Sequence, residues 1–180
     1  DALQRKPTPI RVIDSHAGAG EYDLTRAAPQ QTREFTDGIA RVLDARPVPP
    51  ELSRYVGAIE ALNGGDVLHR YPGSPQLARM LLRDDDHLEI FELHPQASAS
   101  LQALFRGDRR VHVHRRDAFE GVPAVLPPPE RRGIVLIDPA YERREEFEQV
   151  LAMLPALHRR WPSGVYAVWY PLLRKPDARA

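Results

Sequence analysis

The chain has 180 residues, 42% of them hydrophobic, with 25 lysines and arginines balancing 25 aspartates and glutamates and no cysteine. That length and apolar content suffice for one substantial core and argue for one domain. Zero net charge means that affinity for a polyanion has to come from a local patch, and the lack of cysteine excludes disulfides, thiolate metal sites and a cysteine nucleophile. No apolar run approaches the roughly twenty residues of a membrane span, and no signal-peptide pattern opens the chain, so a soluble cytoplasmic protein without a membrane partner is expected.

Polar residues 1–9 lead into Ile10-Arg11-Val12-Ile13-Asp14, the first expected strand, and His16-Ala17-Gly18-Ala19-Gly20 forms a glycine turn directly after it. Gly18 and Gly20 let the backbone approach a ligand that a side chain would exclude, although a plain tight turn explains them as well. The nicotinamide fingerprint is not met: Asp23 stands where its third glycine belongs, and no strand-end acid follows at the required distance. Residues 33–45 and 51–62 carry apolar side chains at helical spacing. In Tyr71-Pro72-Gly73-Ser74-Pro75, Ser74 reads as an N-cap and Pro75 as the first residue of a further helix, which also carries Leu77, Met80 and Leu81. A helical insertion over about residues 26–72 therefore separates the first strand from the second by far more than a crossover needs.

The second strand is His87 to His94; Pro95 then opens a helix with Leu101, Leu104 and Phe105 on one face. Glu92 lies where doubly wound sheets hold ribose hydroxyls, with a surface carboxylate or helix-dipole partner as the alternative. Val111-His112-Val113-His114 is a third strand, followed by Asp117 and Ala118. Its two histidines share a face, but no further ligand stands at matching spacing, so no metal site is expected. After Gly133, the apolar run Ile134 to Ile137 reads as a strand buried on both faces, ending in Asp138-Pro139-Ala140-Tyr141. A helix from about Arg144 is expected to kink or stop at Pro155, and Gly164 to Tyr170 is the fifth strand.

This pattern predicts a mostly parallel sheet with right-handed crossovers and strand order 3-2-1-4-5. The glycine turn, Glu92, Asp117 and Asp138 then share one rim. S-adenosyl-L-methionine suits that rim: Glu92 can accept from a ribose diol and Asp117 from an adenine amino group, while the glycine backbone approaches the ligand. Asp138 would face the methyl acceptor. Its carboxylate and the Pro139 carbonyl could hold the hydrogens of an exocyclic amine, aiming the nitrogen lone pair at the methyl group without a covalent enzyme intermediate. Tyr141 would stack on an acceptor base drawn out of its helix, or is simply a packed loop aromatic.

The motifs Asp14-Ser15-His16-Ala17-Gly18-Ala19-Gly20, Tyr71-Pro72-Gly73-Ser74-Pro75, Glu92-Leu93-His94-Pro95, Leu136-Ile137-Asp138-Pro139 and Ala167-Val168-Trp169-Tyr170-Pro171 span nearly the whole chain. In that order they resemble the bacterial ribosomal RNA large subunit methyltransferase J family. The resemblance implies a Rossmann-like class I S-adenosylmethionine-dependent methyltransferase sheet, with 23S rRNA as partner and N6 of an adenosine as acceptor. It also implies donor contacts from His16, Ser74, Glu92, Asp117 and Ala118 and a catalytic role for Asp138, beside which Pro139 and Tyr141 are read; no metal and a monomer are expected separately. Two departures stand out. Ala140 replaces the second proline of the family's Asp-Pro-Pro-Tyr, which loosens the turn. The family's histidine-rich segment before the first strand and two strands after the fifth have no counterpart, so residues 1–180 are expected to be one methyltransferase domain truncated at both ends, weakly active or inactive alone. The rival readings are a methylase of another amino group, on DNA adenine or a protein amide, and a non-catalytic RNA-binding module. In the module, Arg131, Arg132, Arg143 and Arg144 would contact phosphates, although the intervening Glu142, Glu145 and Glu146 equally suit a solvated mixed-charge face.

Overall fold

The computed structural model describes residues 2–26, 34–45, 47–65 and 67–171. In chain order its first half comprises β1 (Arg11–Asp14), β2 (Glu21–Asp23), α1 (Glu34–Asp37), α2 (Ile39–Asp44), α3 (Ser53–Asn63), β3 (Arg70–Pro72) and α4 (Ser74–Leu81). The second half comprises β4 (His87–Phe91), α5 (Pro95–Leu104), β5 (Val111–His114), α6 (Ala118–Ala124), β6 (Gly133–Ile137), α7 (Arg144–Arg160) and β7 (Val165–Val168).

Five strands form one all-parallel sheet in the order β5-β4-β1-β6-β7, the expected 3-2-1-4-5 in terms of its own strands. Side chains alternate across a strand, so neighbouring residues enter different cores. Ile13, Phe91, Val135 and Ile137 pack with Val122 of α6 and Val150, Leu157 and Trp161 around α7. Val12, Leu88 and Ile90 pack on the other face with Leu101 of α5 and with Phe105. Where β1 and β6 begin, the strands approach so closely that a Cβ on Gly133 would lie 1.8 Å from the Arg11 carbonyl oxygen. Glycine is required there.

Charge is buried near the same end. Arg11 bridges Glu89 and Glu130, and Glu89 also bonds His112 (3.1 Å) and His114 (2.6 Å) on the neighbouring β5. Burial would raise the Glu89 pKa, but the two imidazoles and the Arg11 guanidinium pull it below its ordinary value. The histidine pair of the third strand thus serves a carboxylate within the sheet. Asp86, just before β4, accepts from the Ile10 backbone amide, from Arg83 and from Gln4, tying the amino-terminal residues to the sheet.

Several local expectations are corrected. The segment 33–45 is two short helices broken around Gly38; residue 33 and parts of the insertion lie outside the described residues. The insertion is not purely helical, since β2 and β3 pair antiparallel at its ends. Helix α6 was not anticipated, because Gly121 and Pro123 within it are poor helix formers. Pro155 does not end the helix: α7 runs through it to Arg160. The N-cap of α4 is Gly73 without a side-chain cap bond, so Ser74 is not the cap. Arg131 and Arg132 do not flank Asp138. They precede β6 at its opposite end, where Arg132 bonds the Leu3 carbonyl (2.9 Å) and the Arg131 carbonyl accepts from Trp161 (3.1 Å).

Candidate active site

Ligands of an open α/β sheet lie beyond the carboxyl ends of its strands, and a cleft of about 760 Å³ opens there. The tip of β1 supplies Ser15, His16 and Gly18; β4 supplies Phe91 and Glu92; the β5–α6 junction supplies Asp117, Ala118 and Phe119. Asp138 and Pro139 come from the end of β6. The sequence-expected residues His16, Gly18, Glu92, Asp117, Ala118, Asp138 and Pro139 therefore share one cavity.

Glu92 is oriented in advance. Its Oε2 accepts from the Gly18 amide at 2.8 Å and its Oε1 from the His94 amide at 2.7 Å, which fixes the carboxylate while each oxygen keeps a lone pair. Gly18 has φ +63, so its amide reaches Glu92 from a conformation that other residues rarely adopt. Asp117 caps α6, with Oδ1 accepting from the Phe119 amide at 2.8 Å, so one of its oxygens is committed to structure. His16 packs edge-on against Phe119, with ring centroids 5.4 Å apart, and its Nδ1 lies 2.7 Å from the Ser15 hydroxyl. Burial lowers the His16 pKa more than Asp117, Glu146 and Glu92 raise it, which favours a neutral imidazole at neutral pH. Partial desolvation by the cleft wall pushes the Asp138 carboxyl above its ordinary value.

Three expected residues stand apart from the lining. Gly20 is behind the cleft: its carbonyl accepts from Gly73 at 2.8 Å, and a Cβ there would strike Leu101 at 2.7 Å. Ser74 is exposed and acts on Asp14, partly offsetting the rise of that buried carboxyl. Tyr141 has φ +53, donates its hydroxyl to the Trp169 carbonyl at 2.8 Å, and lies against Phe147 and Trp169. In the other direction, Ser15, Phe119, Glu146 and Trp169 line the cleft without having been singled out from sequence. Glu146 was read among surface charges, yet it sits in the first turn of α7 with Oε2 buried and without a hydrogen-bond partner. Its position just after the Asp-Pro-Ala-Tyr turn was the available signal. Among the described residues, no group of three or more His, Cys, Asp or Glu side chains is arranged to hold a metal, and no helix is long and apolar enough to cross a membrane.

Residues 7–180 match the family model described as ribosomal RNA large subunit methyltransferase D, RlmJ. The chain belongs to the RlmJ family. It is 39% identical over 179 residues to ribosomal RNA large subunit methyltransferase J of Escherichia coli strain K12, covering 99% of this chain and 64% of that protein. It is also 39% identical over 178 residues to the protein of the same name from Haemophilus influenzae, covering 98% of this chain and 63% of that one. It thus spans less than two thirds of the length of either relative. The crystal structure of protein LPL1258 from Legionella pneumophila superposes with a TM-score of 0.89 at 34% identity, covering 96% of this chain and 64% of the other. In this RlmJ-family chain the Asp-Pro turn with Ala140 remains placed at the cleft, with Asp138, Pro139 and Ala140 all lining it.

Proposed function

We propose that residues 1–180 are the methyltransferase domain, with an insertion over about 26–72, of a protein that transfers a methyl group from S-adenosyl-L-methionine to N6 of an adenosine in 23S ribosomal RNA, and that these residues alone turn over weakly. The observation that carries the reading is that a preorganised Glu92 and the Asp138-Pro139 turn line one cleft. A cis-diol donates two hydrogen bonds, and the fixed carboxylate of Glu92 is built to accept them. The remaining Asp117 oxygen and the Ala118 backbone suit an adenine edge, and Gly18 and His16 form the wall next to them.

The donor, when bound, supplies an electrophilic methyl group on a sulfonium. Everything else is positioning by the chain's own residues. An exocyclic adenine nitrogen is a poor nucleophile because its lone pair is delocalised into the ring. The Asp138 carboxylate and the Pro139 carbonyl each accept one of its hydrogens, which favours a pyramidal nitrogen aimed at the methyl carbon. The N–C bond forms as the C–S bond breaks, and the surplus proton leaves toward Asp138 or water. The raised Asp138 pKa makes it a better acceptor of that proton than an ordinary aspartate.

Calorimetric titration with S-adenosylhomocysteine tests the donor half. Saturable one-to-one binding that falls at least about tenfold in Glu92→Ala is expected from losing a bidentate acceptor. The acceptor half is tested by methyl transfer to 23S rRNA, DNA and protein substrates. Asp138→Ala should retain donor binding but lose about 10²- to 10³-fold in turnover, the usual scale for one preorganised transition-state contact. A folded chain that binds no S-adenosylhomocysteine would refute the reading.

A further inference from the structure

Glu146 is a carboxylate of the cleft to which the reaction above gives no task. It lines the cavity from the first turn of α7, just after the Asp-Pro-Ala-Tyr turn. Its side chain keeps 15% of its surface, its Oε2 is buried without a partner among the described residues, and its Oε1 meets the exposed Arg143 at 3.5 Å, long for a hydrogen bond. An acceptor left unpaired away from water is costly, so a ligand that brings a donor to it gains affinity. The last torsion of a glutamate is soft and roughly two-fold, which lets either oxygen turn to the cavity. Burial dominates the titration of both His16 and Tyr141, but each also feels the charge of Glu146, which therefore stands between the glycine turn and the acceptor side of the Asp-Pro turn. Asp14, which also has an unpartnered oxygen, is closed off at the end of β1 with 1% exposure.

An adenine base donates only the two hydrogens of its amino group, and Asp138 and the Pro139 carbonyl take both. Within a strand the 3′ and 5′ oxygens are esterified. The donor left on the acceptor nucleotide is its ribose 2′-hydroxyl, which a deoxynucleotide lacks. We infer that Glu146 accepts a hydrogen bond from the 2′-hydroxyl of the acceptor adenosine and is the residue by which the cleft tells RNA from DNA. This rests on the methyltransferase reading above and names the substrate class of the same site. Arg143, 69% exposed on the same rim, offsets the repulsion between this carboxylate and the phosphates of the strand. The ammonium group of the methyl donor is the competing partner for Glu146, and S-adenosylhomocysteine, which carries the same group, separates the two.

Fluorescence anisotropy with a dye-labelled, short single-stranded oligoribonucleotide tests this, with one central adenosine in the strand and S-adenosylhomocysteine at saturation. The same strand is made with 2′-deoxyadenosine or with 2′-fluoro-2′-deoxyadenosine at that one position; the fluorinated sugar keeps an RNA-like pucker but cannot donate. The adenosine strand should bind about ten- to a hundredfold more tightly than either, the usual range for one hydrogen bond to a charged group. In Glu146→Ala the three strands should bind alike, with S-adenosylhomocysteine affinity unchanged. Glu146→Gln, whose amide oxygen still accepts, should keep part of the preference. A fluorinated strand that binds the parent chain as tightly as the adenosine strand would overturn the inference without any protein variant, and so would a preference that survives Glu146→Ala. Loss of S-adenosylhomocysteine affinity in Glu146→Ala would assign the carboxylate to the methyl donor and overturn it as well. A folded chain that takes up S-adenosylhomocysteine but no strand would overturn this inference alone, whereas one that binds neither would overturn the methyltransferase reading with it.

Discussion

Asp14 shows how the site is charged against its own stability. It ends β1 at 1% exposure, its Oδ2 has no hydrogen-bond partner, and burial raises its pKa from 3.8 to about 6, with Asp138 and Glu92 adding repulsion against the relief from Ser74 and the His16 amide. The folded chain holds this proton more tightly than the unfolded one. Its stability is therefore greatest below about pH 4 and declines as pH rises to about 6, by up to about 3 kcal/mol from this group. Asp14→Asn should flatten that window and stabilise the chain at pH 7, as read from urea midpoints at pH 4 and pH 7. At this scale the sequence was legible where a residue owes its place to a strand end, as Glu92, Asp117 and Asp138 do. Glu146 and Phe119 were not, because their place depends on how a helix is rotated over the cleft. Trp169 was quoted within a motif but not as part of a wall, since only the β6–β7 register sets it beside Asp138.

Elements were legible in proportion to how much of their stabilisation is local. The sheet strands follow from short apolar runs, and their order follows from right-handed crossovers. The β2–β3 ribbon has three residues on each side, none marked by an apolar run, and exists by pairing across the insertion. Helix α6 survives with poor helix formers because Asp117 caps it and because Gly121 gives Phe91 room: a Cβ there would lie 2.4 Å from the ring. Gly133 is the sharper case, since a Cβ would press on the Arg11 carbonyl and φ is +156. Gly133→Ala should cost more than about 3 kcal/mol, because both backbone strain and a clash with β1 must be relieved. A thermal melt against the parent chain measures this, and an unchanged melting temperature would show that the β1–β6 spacing yields.

Across the whole molecule the buried ions tie four strands together. Arg11 on β1 meets Glu89 on β4 and Glu130 before β6, and Glu89 meets both histidines of β5. Removing one member strands the others in a poorly solvated place. Arg11→Met should cost about 3–5 kcal/mol, and adding Glu89→Gln should recover part of it, because the orphaned charge goes too. Urea unfolding of the single and double variants gives the comparison, and additive losses would mean that the ions act independently.

The narrow ribbon at the base of the insertion bears on how such a chain can change over generations. Glu21–Asp23 and Arg70–Pro72 run side by side, and the Leu24 amide meets the His69 carbonyl at 2.8 Å, so the chain departs from the sheet domain and returns at a single neck. Ile39, Val56 and Ile59 are buried within the insertion but belong to neither core that packs on the sheet. The segment beyond the neck also leans on the sheet domain, since Arg54 donates to the Leu81 carbonyl and to Gln4 at 3.2 Å each, so exchanging it would cost those contacts while leaving the walls that hold Glu92 and Asp138 in place.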